Sequence, residues 1–216
     1  MGRRVSDHAN PRWLSTAGPP PSDDDLKTFP ALTWEPTSEC WRAHGHRSPW
    51  YFSSAPGRFN LFEPRGTLNT ASDAKTAVRE YLGVALCGQS EIPSAFVDGR
   101  RVSKLRVTRR ELADLTADAA TAAGVVTGDF SGPSTAGYTT FRFWAEAFDD
   151  AGFGGVFSRS RFGTGLSSAC IYLFGSAGEH PAGSIEREVP LEDVLRTLGP
   201  YKVVRPKDSG SLSFET

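Results

Sequence analysis

The chain has 216 residues, enough for one ordinary domain and short for two. Its 38% hydrophobic and 11% aromatic content suffices for a packed core, while 24 Lys and Arg against 25 Asp and Glu leave a formal net charge of −1. That balance excludes a global basic field able to hold nucleic acid or an anionic membrane. No stretch approaches the roughly 20 apolar residues of a membrane span, and no apolar core of a signal peptide follows Arg3-Arg4. The three cysteines, Cys40, Cys87 and Cys170, are odd in number and scattered. This argues against a disulfide framework and suits a reducing cytosol. His44 and His46 are the nearest approach to a metal pair, and no further ligands stand near them, so no metal is expected.

In chain order, residues 1–30 read as a proline-rich tail, disordered or loosely docked, because their sparse apolar residues show no period. A single α+β domain is expected over 31–216, with order beginning near Leu32. Cys40 to His44 alternates in character like a strand. Pro49-Trp50-Tyr51-Phe52 is an aromatic cluster for core or pocket wall, and Ala55-Pro56-Gly57 is a turn. Gly66 to Thr70 is a short strand. Ser72 is placed to cap a helix, with Asp73 in its first turn. The helix carries Ala77, Val78, Tyr81, Leu82 and Leu86 at helical spacing and stops at Gly88. Glu80 lies between those stripe residues.

Lys104 to Val107 alternates like a strand, and Thr108-Arg109-Arg110-Glu111 reads as a capping box. Short helical turns follow, one ending at Asp114-Leu115 and one running from Thr116 to Gly124. Gly128 to Gly137 is expected to be a loop. Tyr138 to Asp150 carries Phe141, Trp144, Ala145 and Phe148 at helical spacing, the pattern of a core-facing helix. Val156-Phe157 leads as a strand into Ser158-Arg159-Ser160-Arg161. The apolar run Ala169 to Phe174 is a buried strand. Glu186 to Val189 is another, Leu191 to Leu198 a short helix, and Tyr201 to Val204 a terminal strand. The basic groups Arg100-Arg101 with Lys104-Arg106, and Arg109-Arg110, read as solvated edges.

Several short segments, taken in order, carry a resemblance. These are Trp41-Arg42-Ala43-His44, Gly57-Arg58-Phe59-Asn60, Gly66 to Ala71, Ala77-Val78-Arg79-Glu80, Ala113 to Thr116, Phe143-Trp144-Ala145, and Gly152 to Val156 leading to Arg159-Ser160-Arg161. Together they span roughly residues 40–175, and their order and spacing resemble the RES-domain family of NAD⁺-degrading toxins from bacterial toxin–antitoxin systems. The resemblance implies a compact α+β fold like that of the ADP-ribosyltransferase toxins, with a central cleft. It implies Arg58, Glu80 and Ser160 as catalytic residues, and Arg42, His44, Phe59, Asn69 and Arg159 as substrate-binding ones. It further implies NAD⁺ as substrate rather than cofactor, inorganic phosphate as a co-substrate in place of water, a cognate antitoxin as partner, and a cytoplasmic location. A homo-oligomer is left open. Asn69 stands where relatives often carry tyrosine. Ser158 and Ser160 would face one side by strand alternation; the flanking Arg159 and Arg161 favour Ser160 by resemblance.

The residue types suit that chemistry. The pyridinium of NAD⁺ leaves as neutral nicotinamide, so no acid is needed at the leaving nitrogen. The transition state is oxocarbenium-like, and one carboxylate can stabilise it or orient the attacking water. An arginine fork matches diphosphate oxygens, a hydroxyl orients a ribose or phosphate, and aromatic faces stack the nicotinamide. Two other functions fit the same inventory. One is transfer of ADP-ribose to a macromolecule, and the other is a silent NAD⁺- or ADP-ribose-binding module.

Overall fold

A computed structural model describes residues 17–45, 48–131 and 138–205. In chain order the elements are α1 (Asp23–Leu26), β1 (Ala31–Trp34), β2 (Cys40–His44), β3 (Tyr51–Phe52), β4 (Arg65–Ala71), α2 (Ala74–Leu82), β5 (Glu91–Pro93), β6 (Arg101–Val107) and β7 (Arg110–Asp114). There follow α3 (Thr127–Ser131), α4 (Thr139–Asp150), β8 (Gly155–Arg159), β9 (Ala169–Ser176), β10 (Gly178–Glu179), β11 (Gly183–Pro190), α5 (Leu191–Leu195) and β12 (Lys202–Val204). Eight strands make one sheet in the order β1-β7-β8-β9-β4-β2-β6-β11. Its pairs are antiparallel except β7 with β8. This is the α+β class expected from interleaved short strands and helices.

The sheet has a discontinuity that matters for function. β4 pairs with β9 at seven consecutive positions, from Arg65↔Ser176 to Ala71↔Cys170. β2 pairs with β6 at five. β2 and β4 meet at one position only, Trp41↔Ala71. Arg42 with Thr70, then Ala43 with Asn69, would be the next partners in a continued antiparallel ladder; instead all four line a cavity.

Apolar packing holds each half. The α4 stripe Phe141, Trp144, Ala145 and Phe148 is buried with Phe59, Val156 and Tyr172 in one core. Leu68, Ile171 and Leu173, of β4 and β9, pack with Cys40, Leu105 and Leu112 in a second. Val78 and Leu82 of α2 pack with Val102, Leu191 and Leu195 in a third. Full burial of such side chains contributes roughly 1.5–3 kcal/mol each before the entropy of ordering is set against it.

Several local expectations change. Order begins before Leu32: Leu26 and Phe29 are buried beside α4, the Phe29 and Phe148 rings 4.9 Å apart. The Trp144 indole also donates to the Gly18 carbonyl at 2.8 Å. Asp73, not Ser72, caps α2, its carboxylate accepting from the Thr76 amide at 2.9 Å. Gly83 at φ 53° ends α2, and a 3-10 turn, Gly83–Leu86, takes the remaining residues. The Thr108 to Glu111 segment is not a helix start. Arg110–Asp114 is a strand between β1 and β8, where Leu112 and Ala113 are fully buried and every ladder bond is long-range. Gly128–Ser131, expected in a loop, belongs to α3, anchored by the buried Phe130; 132–137 lies outside the described residues, as does His46.

Candidate active site

The cavity in the β2/β4 split has a volume of about 590 Å³. Arg42, His44, Arg58, Asn69, Glu80 and Arg159, all expected as site residues, line it. Ser160 reaches it through Glu80. Phe59 does not line it: the ring is fully buried against Phe130, Phe141 and Tyr172. An aromatic beside the arginine is there to anchor the turn, and its backbone adopts φ 56°, a region that non-glycine residues seldom occupy.

Glu80 is presented by the short, well-capped α2. Ala77, Val78 and Leu82 bury one face of the helix, and Glu80 is left half-buried at the margin facing the loop after β8. That loop folds onto the carboxylate. Ser160 Oγ donates to Glu80 Oε1 at 2.5 Å, and the Phe162 amide donates to the same oxygen at 3.1 Å. The Gly163 amide in turn donates to Ser160 Oγ at 2.7 Å. Gly163 permits this closure, because a Cβ there would lie 2.3 Å from Ser168 Cβ and 2.8 Å from Ser160 Oγ. Ser158 is buried within β8 and does not line the cavity; its hydroxyl sits 3.4 Å from the Arg159 carbonyl. Of the two serines, Ser160 is the one joined to the glutamate.

Arg58 rides on a turn that is clamped from two sides. Arg142 of α4 donates to the Asn60 carbonyl at 2.9 Å, to Ser54 at 2.8 Å and to Leu61 at 3.0 Å. Asn69 Nδ2 donates to Asn60 Oδ1 at 3.1 Å, and Asn60 Nδ2 to the Ala55 carbonyl at 2.9 Å. Asn69 therefore both lines the cleft and braces the turn. The Arg58 guanidinium donates to the Phe130 carbonyl and lies 4.7 Å from the Phe141 ring centre. Cation–π contact and a backbone acceptor hold it in place.

Arg42 is the most constrained cation. It is only 9% exposed, and its Nη1 is buried without a hydrogen-bond partner. Burial drives its pKa down to about 10. His44 Nε2 lies 2.8 Å from Ser103 Oγ and 3.6 Å from Glu188 Oε2, so its ring is held by the β6–β11 side of the sheet. Arg159 is exposed and donates to the Leu166 carbonyl within its own loop.

Of the lining residues that sequence reasoning did not name for the site, three bear on its chemistry. Tyr172 is the register partner of Asn69, and Cys170 that of Ala71. Both lie in the apolar run Ala169 to Phe174, where continuous hydrophobicity conceals which face each residue takes. Burial first, then the neighbouring Cys170 and Glu80, pushes the Tyr172 phenol well up. Burial first, then Glu80, raises the Cys170 thiol. Both stay protonated as donors at neutral pH. Arg100, taken for a solvated edge, is the third. Its guanidinium lies over Gly45, where a Cβ would come 2.0 Å from Nη1.

Among the described residues, five arginines and one carboxylate line a cleft in a split α+β sheet, a cationic cavity beside a positioned glutamate. The chain matches the RES domain over residues 39–194 and belongs to that family. No curated protein matches it in sequence. Among solved structures it is similar to the crystal structure of the M. tuberculosis MbcT–MbcA toxin–antitoxin complex. The TM-score is 0.60 at 17% identity, covering 81% of this chain and 94% of that one. Among the described residues, no helix is long and apolar enough to cross a membrane.

Proposed function

We propose that this protein cleaves the bond between nicotinamide and ribose in NAD⁺. The observation that carries the reading is the Glu80 carboxylate, fixed by Ser160 and the Phe162 amide inside a cleft that five arginines help to line. The ribose C1′–N bond breaks with its electron pair moving to the pyridinium, which leaves as neutral nicotinamide. The cation developing at C1′ is stabilised by Glu80. Arg58 and Arg42 take the diphosphate by charge-assisted hydrogen bonds. Arg42 gains most, since its buried, unpartnered nitrogen acquires an acceptor. Water attacking C1′ gives ADP-ribose and a proton, and inorganic phosphate gives ADP-ribose 1″-phosphate. Tyr172 and Tyr138 supply aromatic surface in the same cavity.

The solved relative is a toxin bound to an antitoxin. By analogy this chain acts as a toxin that depletes cytoplasmic NAD⁺ and is held in check by a partner protein covering the cleft. The test is nicotinamide release from NAD⁺ by purified protein with a chelator present. Product mass with and without phosphate separates water from phosphate as acceptor, and label carried from NAD⁺ into macromolecules would indicate transfer instead. No nicotinamide at high enzyme concentration, with ADP-ribose still bound, would replace the enzyme by a binding module.

A further inference from the structure

We propose that the Arg100 end of the cleft binds a second phosphoryl group, the one that a dinucleotide such as NADP⁺ carries on its adenosine ribose. The proposal rests on reading the cleft as a nicotinamide-dinucleotide site and names a substrate class beyond NAD⁺. Arg100 lines the cavity, is half-buried, and has an Nε buried without a hydrogen-bond partner. Among the described residues no carboxylate pairs with it, whereas its neighbour Arg101 is bonded to Glu188 at 2.8 Å. Gly45 gives it a seat that any side chain would fill. A guanidinium stripped of part of its water and given no acceptor is set for an anion, and a phosphoryl group matches its fork.

Position decides which anion. Cys170, beside Glu80, pairs with Ala71, and Ala71 with Trp41. Gly45 lies four residues further along the chain from Trp41, a run of about 13 Å in extended backbone. A phosphate attacking C1′ must stand about 3–3.5 Å from it, so an anion held at Arg100 is out of reach of the reacting carbon. The separation suits the far ribose of a dinucleotide whose nicotinamide ribose lies at Glu80. The diphosphate between them is served by Arg42 and Arg58, which leaves Arg100 for a further phosphate.

The experiment compares kcat/KM for nicotinamide release from NADP⁺ and from NAD⁺, in the wild type and in Arg100→Ala. Both dinucleotides should be cleaved, and the variant should lower the NADP⁺/NAD⁺ ratio about tenfold or more, the scale of a charge-assisted hydrogen bond. An unchanged ratio overturns the proposal, as does cleavage of NAD⁺ alone. If Arg100→Ala instead removes a dependence of NAD⁺ turnover on inorganic phosphate, the site serves the free ion and the proposal falls. If neither dinucleotide is cleaved, the glycosidic reading has failed and calorimetry decides the Arg100 site separately. ADP-ribose 2′-phosphate should then bind more tightly than ADP-ribose in the wild type and lose that advantage in the variant; equal binding in the wild type overturns it.

Discussion

Two parts of this molecule use the same charged residue types in opposite ways. On the β6–β11 flank three cations of β6 each have a carboxylate. Lys104 lies 2.6 Å from Glu39 and 3.4 Å from Glu186, Arg106 bonds Glu186, and Arg101 lies 2.8 Å from Glu188. In the cleft, Arg42, Arg100, Arg159 and Arg161 have no carboxylate partner among the described residues. Adjacent residues fall on either side of the divide, Arg101 paired and Arg100 not. The flank charges sit where water would screen them in any case, so pairing contributes little and costs little. Arg42 and Arg100 are withheld from pairing where burial makes this expensive, as the depressed pKa of Arg42 records. A fold gains nothing from that arrangement; an anion-binding site does.

The comparison breaks most visibly if Glu80, the one acid among the described residues that line the cleft, is neutralised. Glu80→Gln keeps an oxygen for Ser160 and the Phe162 amide, so melting temperature should barely move. Turnover should fall ~10²–10³-fold, the usual cost of one electrostatic element of a transition state. An active variant would place the working carboxylate elsewhere. Next is Arg42→Met, which exchanges an unpaired buried charge for an apolar side chain. ADP-ribose affinity should drop about 10–100-fold, while unfolding stability rises by about 1–2 kcal/mol. The sign follows from the shift. Arg42 has a folded pKa of about 10, below the ordinary 12.5. The penalty is then fully present below about pH 10 and is relieved as pH rises through that value. Wild-type and variant stabilities, measured by denaturant titration, should converge above it. A destabilised variant would show that Arg42 is paired after all.

Local signals carried much of the fold and less of the site. The α4 stripe and the strands at Cys40 and Ala169 were legible because periodicity is written in neighbouring residues. β7 was not: Thr108 to Glu111 has the local form of a helix cap, and only pairing with a strand 78 positions away overrides it, Thr33 with Glu111. Leu26 and Phe29, in the segment read as a disordered or loosely docked tail, show no period in sequence yet pack into the core that holds Phe148. For the site, family-like motifs pointed to six residues that share one cavity. They misplaced Phe59, whose ring turns inward, and passed over Tyr172, Cys170 and Arg100. Those three depend on strand register and on where β2 leaves β4, which no short motif encodes.

The two serines sharpen the contrast between cleft and core at the scale of one hydroxyl. Ser160→Ala removes the 2.5 Å donor to Glu80 and the acceptor for Gly163. Hydrogen bonds to charged groups run to roughly 1.5–3 kcal/mol, so turnover should fall about tenfold. Ser158→Ala loses only a 3.4 Å contact to a carbonyl, and steady-state rates should stay within about twofold of wild type. The reverse result would move the functional hydroxyl two positions along the chain.

The smallest effect is expected on the flank. Glu186→Gln removes the shared partner of Lys104 and Arg106, yet Lys104 keeps Glu39 and Arg106 keeps the Pro36 carbonyl. Exposed pairs of this kind contribute about 0.2–1 kcal/mol, and salt at about 1 M shortens the screening length to roughly 3 Å. The loss in unfolding stability should therefore stay under about 1 kcal/mol and shrink as salt is added, with nicotinamide release unchanged. A large, salt-insensitive loss would mean the flank is coupled to the sheet as tightly as the cleft is. The distinction between charges spent on the fold and charges held open for a ligand would then lose its basis.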